Sequence, residues 1–357
     1  MAIKEVYKMP GDTFQKKRFI EQNENLRAIQ SELPPFCISF FRAIADNTSI
    51  LTRVNYAYDL RLFFKFLCVE EKIFPHDVIK DFPLDELGKI TSENIELFLE
   101  YLSAYKGADG TVTNSECGKS RKLSTLRSFF KYYFKKGQAA SNVASLVQLP
   151  KLHEKTITRL EADEAANLLD VVESGASLSP AQARCHRYTK IRDVAILTLF
   201  LTTGIRISEL VGINVQDIDF SVNGFRITRK GGSQAILYFN AEAEKALKDH
   251  LSGRNAPDAV RGSEDALFLS LQHKRMSVRS VQNLVKKYAR IIAPLKRISP
   301  HKLRSTYGTM LYQETGDIYL VADVLGHKDV NTTKKHYAAI SDEKRRMAAR
   351  AVKIRDD

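Results

Sequence analysis

The stretch S-P-H-K-L-R-S (Ser299–Ser305), followed by L-G-H-K-D (Leu325–Asp329) and K-K-H-Y-A (Lys334–Ala338), decides how this chain is read. With T-T-G-I-R-I-S-E-L (Thr202–Leu210) upstream, it supplies two arginines, two histidines and a tyrosine. That set suits attack of a tyrosine hydroxyl on a phosphodiester. A phenol has a pKa of about 10, so it needs proton removal or a strong field at neutral pH. The attack builds negative charge on the phosphate oxygens, and fixed guanidinium and imidazole donors stabilise it there.

Spacing places these residues on elements. His301 and Arg304 are three apart and share a helix face; Ser299 is a candidate cap and Pro300 fits the first turn. A helix N-terminus favours a phosphate. Arg206 follows Gly204, which ends one helix, and opens another, with Glu209 three residues on, close enough to orient that arginine or a neighbour. Gly326 caps a helix over Asp317–Leu325 just before His327, and Tyr337 comes ten residues later. Lys230 sits at the tip of a hairpin, Gly224–Arg229 and Gln234–Phe239 around Gly231-Gly232, where an ammonium reaches a phosphate or a leaving oxygen. Each residue alone has an ordinary reading: a surface pair, a core tyrosine, a turn lysine. Only the ordered set carries weight.

Bulk properties agree. The 357 residues exceed one ordinary core, so two domains are expected. A net charge of +13 points to a polyanion, nucleic acid before membrane. The four cysteines form no C-x-x-C pair, which argues against a zinc site or a disulfide framework and fits a reducing cytosol. The N-terminus lacks the apolar core of a signal peptide, and the longest apolar run, Val194–Leu201, is too short to span a bilayer; a cytoplasmic protein is expected. Gly118-Lys119-Ser120 lacks the earlier glycine of a Walker motif, and His153-Glu154 lacks the second histidine of H-E-x-x-H. No cofactor and no metal are expected.

The expected fold is mostly α with a small β region (α+β). An N-terminal helical extension covers 1–33, a helical DNA-clamping domain 34–140, a linker 141–155, and a catalytic domain with a C-terminal helix 156–357. Tyr56, Leu60, Phe63, Phe64 and Leu67 recur at helical spacing, as do Ile95, Leu97, Phe98 and Leu102. Lys106–Cys117 reads as a loop and Ala266–Leu269 as a short strand. The helix Lys119–Lys136 puts Leu123, Leu126, Phe130 and Tyr133 on one face and Arg121, Arg127, Lys131 and Lys135 on another. That basic face is either a ridge laid on phosphates or a solvated surface. Further helices are read at Glu161–Val172, Tyr188–Thr202, Arg206–Val211, Ala241–Leu251 and Val278–Ile292. Ser341 caps a final helix to Ile354 with a small apolar stripe, Met347, Ala348, Ala351 and Val352.

The ordered set T-G-I-R-I-S-E-L, R-K-G-G, H-K-L-R and L-G-H-K-D with its following tyrosine resembles the tyrosine recombinases, or integrase family, over most of the chain. R-K-G-G and S-P-H-K-L-R look most like the single-recombinase Xer kind of streptococci. The resemblance implies a core-binding domain at about 36–140 and a catalytic domain at about 155–345. It implies Tyr337 as nucleophile, Arg206, His301, Arg304 and His327 around the phosphate, Lys230 as the hairpin lysine and Glu209 as the supporting acid. His301 would then take the tyrosine proton and Lys230 give one to the departing 5′-oxygen. A 3′-phosphotyrosine conserves the bond energy, so religation needs no ATP. A homotetramer on two double-stranded DNA sites, strand exchange through a Holliday junction, and a C-terminal helix docked on the neighbouring protomer are also implied. Two features depart from the common pattern: the tyrosine follows His327 by ten residues rather than nine, and Ser305 stands where many relatives have histidine. A type IB topoisomerase shares the chemistry but joins no partner sites. A non-catalytic DNA-binding regulator would leave Tyr337 and its cations unmotivated. Chromosome dimer resolution, mobile-element integration or excision, and inversion all remain open as the task.

Overall fold

The structure, a computed structural model, describes residues 12–107, 110–149, 158–229, 232–254, 259–327 and 330. The chain divides into two compact units, Gln15–Lys155 and one formed mainly by Thr156–Asp357.

The first unit is helical: α1 (Asp12–Gln30), α2 (Cys37–Ala43), α3 (Ile50–Lys65), α4 (Ser92–Tyr101), a small hairpin of β1 (Tyr105–Gly107) and β2 (Gly110–Val112), then α5 (Glu116–Lys135) and α6 (Val143–Leu146). Ser49 caps α3 by accepting from the Thr52 amide, and Thr91 and Asn94 form a capping box on α4. Val54, Ala57, Leu60, Phe63 and Phe64 then fall on one buried stripe of α3. The core is aromatic: Phe63 meets Phe98 edge-on at 5.1 Å and Phe40 meets Phe129 at 5.3 Å.

Three features differ from the sequence reading. Leu26, Ile29 and Leu33 are buried in this core, so the second half of α1 belongs to the unit rather than to an appended extension. Ala144 and Val147 are buried in it too, so the start of the expected linker folds back as α6. Where a loop was expected after Tyr105, Lys106 pairs with Thr111 in the β1–β2 hairpin.

The second unit contains α7 (Ala162–Ser174), α8 (Pro180–Thr203), α9 (Ile207–Leu210), β3 (Ile218–Asp219), β4 (Gly224–Thr228), β5 (Gln234–Tyr238), α10 (Ala241–Ser252), α11 (Val278–Ile292), α12 (Pro300–Thr315) and α13 (Ile318–Leu325). α8 is central, touching α7, α10 and α12, with Ala195, Ile196, Leu197, Leu199 and Phe200 buried. It begins eight residues before the expected Tyr188 (188 − 180), because Ser179 and Gln182 form a capping box and Pro180 occupies the first turn. The three strands form one antiparallel sheet in the order β3-β4-β5, with Phe225 opposite Leu237. Phe225, Ile227 and Leu237 face the core. Ala266–Leu269 is not a strand: only isolated bridges, Asn214 to Ala266 and Leu269 to Arg275, form there. Among the described residues, no helix is long and apolar enough to cross a membrane.

Candidate active site

The site begins where α8 stops. Gly204 ends the helix at φ 60°, in the left-handed region, and a Cβ there would collide with Tyr307 and Leu325. Two residues on, Arg206 is the N-cap of α9. Its amide donates to Glu209 Oε2 at 2.9 Å and its Nη1 to Glu209 Oε1 at 2.8 Å. Glu209 is buried, so the carboxylate sets the guanidinium from beneath. Of the two partners that the three-residue spacing allowed, Arg206 itself or a neighbour, the carboxylate meets Arg206.

α12 brings the second arginine. Arg304 is 5% exposed and donates from Nη1 to the Gly204 carbonyl and from Nη2 to the Leu325 carbonyl. His301, three residues earlier on the same helix, is exposed. Ser299 does occupy the N-cap position, but its side chain makes no capping bond; its carbonyl accepts from the Lys302 and Leu303 amides at 2.8 and 3.0 Å.

α13 closes the site. Asp317 caps its start by accepting from the Tyr319 and Leu320 amides, and Gly326 ends it at φ 60°. The amide of His327 returns to the Ala322 carbonyl at 2.9 Å, which turns this half-buried histidine off the helix end. The last carbonyls of a helix have no intrahelical donor and carry partial negative charge. Here guanidinium groups meet them: Arg304 at Leu325, Arg206 through Nη2 at Gly326 (2.8 Å), and Arg229 through Nη2 at Val324 (3.4 Å). The structure therefore brings Arg206, Glu209, Arg304 and the His327 turn together. Arg229 was missed by the sequence reading, which singled out only its neighbour Lys230. Lys230, Tyr337 and the expected helix Ser341–Ile354 lie outside the described residues.

On α5 of the first unit, the expected basic face of Arg121, Arg127, Lys131 and Lys135 divides. Arg121 makes a bidentate pair with the buried Asp59 at 2.5 and 2.7 Å, and that carboxylate also accepts from Lys122 (3.0 Å) and Thr125 (2.8 Å). Arg127 is half-buried and donates to the carbonyls of Ala144 (3.1 Å) and Val147 (2.6 Å), fastening α6. Lys131 and Lys135 are exposed.

Chemically, the second unit offers two guanidiniums fixed by main-chain carbonyls and a carboxylate before any ligand arrives. Donors held in this way lose little freedom on meeting an anion, which is what stabilising developing phosphate charge requires.

Residues 158–344 match the Phage integrase family. A tyrosine recombinase XerC of Caldanaerobacter subterraneus subsp. tengcongensis is 36% identical over 302 residues, 82% of this chain and 79% of the relative. A tyrosine recombinase XerS of Lactococcus lactis subsp. cremoris is 28% identical over 346 residues, 90% of this chain and 96% of the relative. Among solved structures, a XerH site-specific recombinase bound to palindromic difH substrate superposes with a TM-score of 0.64 at 19% identity, over 86% of this chain and 81% of that one. The Tn1549 transposon integrase (residues 82–397) in complex with circular intermediate DNA gives 0.62 at 18% identity, over 88% of this chain and 98% of that one.

Proposed function

The chain belongs to the phage integrase family and is a tyrosine recombinase; from that premise we propose how its own residues cleave and rejoin DNA at a specific site. The Tyr337 oxygen attacks phosphorus and the P–O5′ bond breaks, leaving a 3′-phosphotyrosine. The electron pair departs with O5′, which takes a proton from Lys230, while His301 accepts the tyrosine proton. Arg206, Arg304 and His327 hold the phosphate oxygens through the step. Reversal with a different 5′-hydroxyl rejoins the strand, and two rounds separated by a Holliday junction exchange both strands.

One observation carries this reading: Arg206 and Arg304 meet on adjacent carbonyls, Gly326 and Leu325, at the turn that presents His327. Three separate sequence motifs thereby share one anchoring point, which supports reading Arg206, Arg304 and His327 as a set that holds one phosphate.

Double-stranded DNA is the partner on this reading, and four protomers on two duplexes the working assembly. The net charge of +13 and the exposed Lys131 and Lys135 support the DNA contact. We further read the domain roles as DNA clamping by the first unit and chemistry by the second, the site of action as the cytoplasm, and Ser341–Ile354 as a helix docking on the neighbouring protomer. Chromosome dimer resolution and mobile-element integration or excision are the tasks this reading favours, with DNA inversion as the third.

A nicked suicide substrate carrying two half-sites tests the proposal. The intact protein is expected to form a covalent adduct in EDTA, and Tyr337→Phe to bind the site without forming one. Mixing two such sites should give joined products. Adduct formation by Tyr337→Phe would refute the nucleophile, and an adduct without joined products, together with relaxation of a supercoiled plasmid, would favour a topoisomerase.

A further inference from the structure

The residue before the hairpin lysine makes more contacts than a strand end requires. Arg229 lies just past β4, and its backbone closes the turn from both directions. Its amide donates to the Ser233 carbonyl at 2.7 Å, and its carbonyl accepts from the Gly232 amide at 3.1 Å. Its side chain points to a different part of the fold. Nη2 donates to the Val324 carbonyl at 3.4 Å, and the guanidinium fills the space where a Cβ on Gly326 would stand. Gly326 is thus held on two sides, by Arg229 against its Cα and by Arg206 on its carbonyl oxygen.

Stability alone accounts poorly for this placement. Nε of Arg229 is buried with no hydrogen-bond partner among the described residues, a costly state for a charged group. Such a cost is expected where a contact sets the geometry of a reacting group.

We propose that Arg229 is a positioning residue for strand cleavage, fastening the hairpin end from which Lys230 follows to the carbonyl end of α13 from which His327 follows. This rests on the reading of Lys230 as proton donor to the 5′-oxygen. Without the clamp, Arg229 is held by its backbone hairpin bonds alone, and Lys230, the next residue in the chain, follows a less firmly fixed neighbour. The phosphate-holding arginines keep their own anchors, since Arg206 rests on Glu209 and Arg304 on Gly204.

A 5′-bridging phosphorothiolate suicide substrate separates this role from a merely structural one. A thiolate leaves without being protonated, so loss of a proton donor is masked on sulfur and revealed on oxygen. Arg229→Ala is expected to cleave the oxygen substrate about 10- to 100-fold more slowly than the intact protein, the scale of misplacing a catalytic group. On the sulfur substrate it should come within roughly threefold of the intact protein, with half-site binding retained. Lys230→Ala is the control and should behave alike, whereas Arg304→Ala should be slow on both substrates. Arg229→Gln keeps an amide donor for the Val324 carbonyl without the fork, and it supplies the same oxygen-to-sulfur ratio if the alanine variant melts early. Equal slowing of both Arg229 variants on the two substrates, with Lys230→Ala rescued by sulfur, would overturn the proposal. Failure of sulfur to rescue Lys230→Ala would instead remove the assignment of Lys230, and the proposal with it.

Discussion

Arg304 ties two motif turns to one another: it donates to the Gly204 carbonyl, two residues ahead of Arg206, and to the Leu325 carbonyl, two residues ahead of His327. The orientation of this guanidinium is thus set by the backbone at the ends of α8 and α13, while Arg206 has its own support in Glu209. On the proposed reading, the phosphate contact and the framework are coupled through Arg304.

Both arginines should cost rate and stability together. Arg206→Ala is expected to lower the cleavage rate by about a hundredfold or more, the scale of losing one preorganised donor, and to melt earlier, because the buried Glu209 carboxylate loses its counter-ion. Arg304→Ala should lose at least as much rate and also melt earlier, because two buried carbonyls lose their donor. Lysine should rescue either one poorly, since it lacks the planar fork. Single-turnover cleavage and thermal melts of the four variants check this, and near-normal cleavage by either alanine variant would make that arginine structural only.

Gly326→Ala is expected to slow cleavage although no side chain at this position takes part in it. The position requires φ near 60°, where a Cβ is strained, and the Arg229 guanidinium already occupies the space that a Cβ would need. The substitution must displace Arg229, shift the Arg206 bond to the Gly326 carbonyl, or move His327. Cleavage should fall at least about tenfold with half-site binding nearly intact. Full cleavage by the alanine variant would mean that the turn relaxes freely.

What the sequence revealed and what it hid follow from the range of the interactions. Helix ends set by local chemistry were legible: Gly204, Gly326 and the Val278–Ile292 stripe stand where spacing placed them. The Arg206–Glu209 pair was legible because both residues lie on one turn. The convergence of Arg206, Arg229 and Arg304 on α13 was not, because it joins residues as far as 120 positions apart. The buried end of α1 and the small helix α6 were hidden for the same reason: Leu26, Ile29 and Val147 read as parts of polar segments until tertiary packing selects them. The start of α8 was legible in principle, since Ser179, Pro180 and Gln182 carry a capping signature, but Arg184, Arg187 and Lys190 obscure any apolar stripe there.

In the first unit, Asp59 should matter for folding and the outer lysines for DNA. Asp59 is 1% exposed and accepts from Arg121, Lys122 and Thr125. Asp59→Ala leaves Lys122 buried without its counter-ion and is expected to cost about 3–5 kcal/mol in urea unfolding. Arg121→Ala, at a half-exposed partner, should cost much less. Lys131→Ala and Lys135→Ala should leave stability unchanged and reduce the salt slope of DNA binding by roughly one unit per lost phosphate contact. Unchanged affinity at every salt concentration would place both lysines away from DNA.

Two buried histidines predict how the second unit responds to acid. Burial lowers the pKa of His186, whose Nδ1 lies 3.0 Å from the Tyr288 hydroxyl, with nearby Lys287 pushing the same way. Burial also lowers that of His250, and the hydrogen bond of its Nε2 to the Leu267 carbonyl at 2.9 Å offsets this only in part. In both cases the unfolded chain, with an ordinary value of 6.5, takes up protons before the folded one does. Their stabilisation is therefore complete above that value and is lost as pH falls through the folded values. Glu164 is held below the ordinary 4.5, chiefly by its hydrogen bond with Lys296, so its own loss comes at lower pH and does not blur the window. Urea midpoints should drop as pH is lowered from about 7.5 to about 5. His250→Gln keeps an amide donor for the Leu267 carbonyl but does not titrate, and combining it with His186→Gln should flatten the profile across that range. An unchanged slope in the double variant would assign the acid sensitivity to other groups.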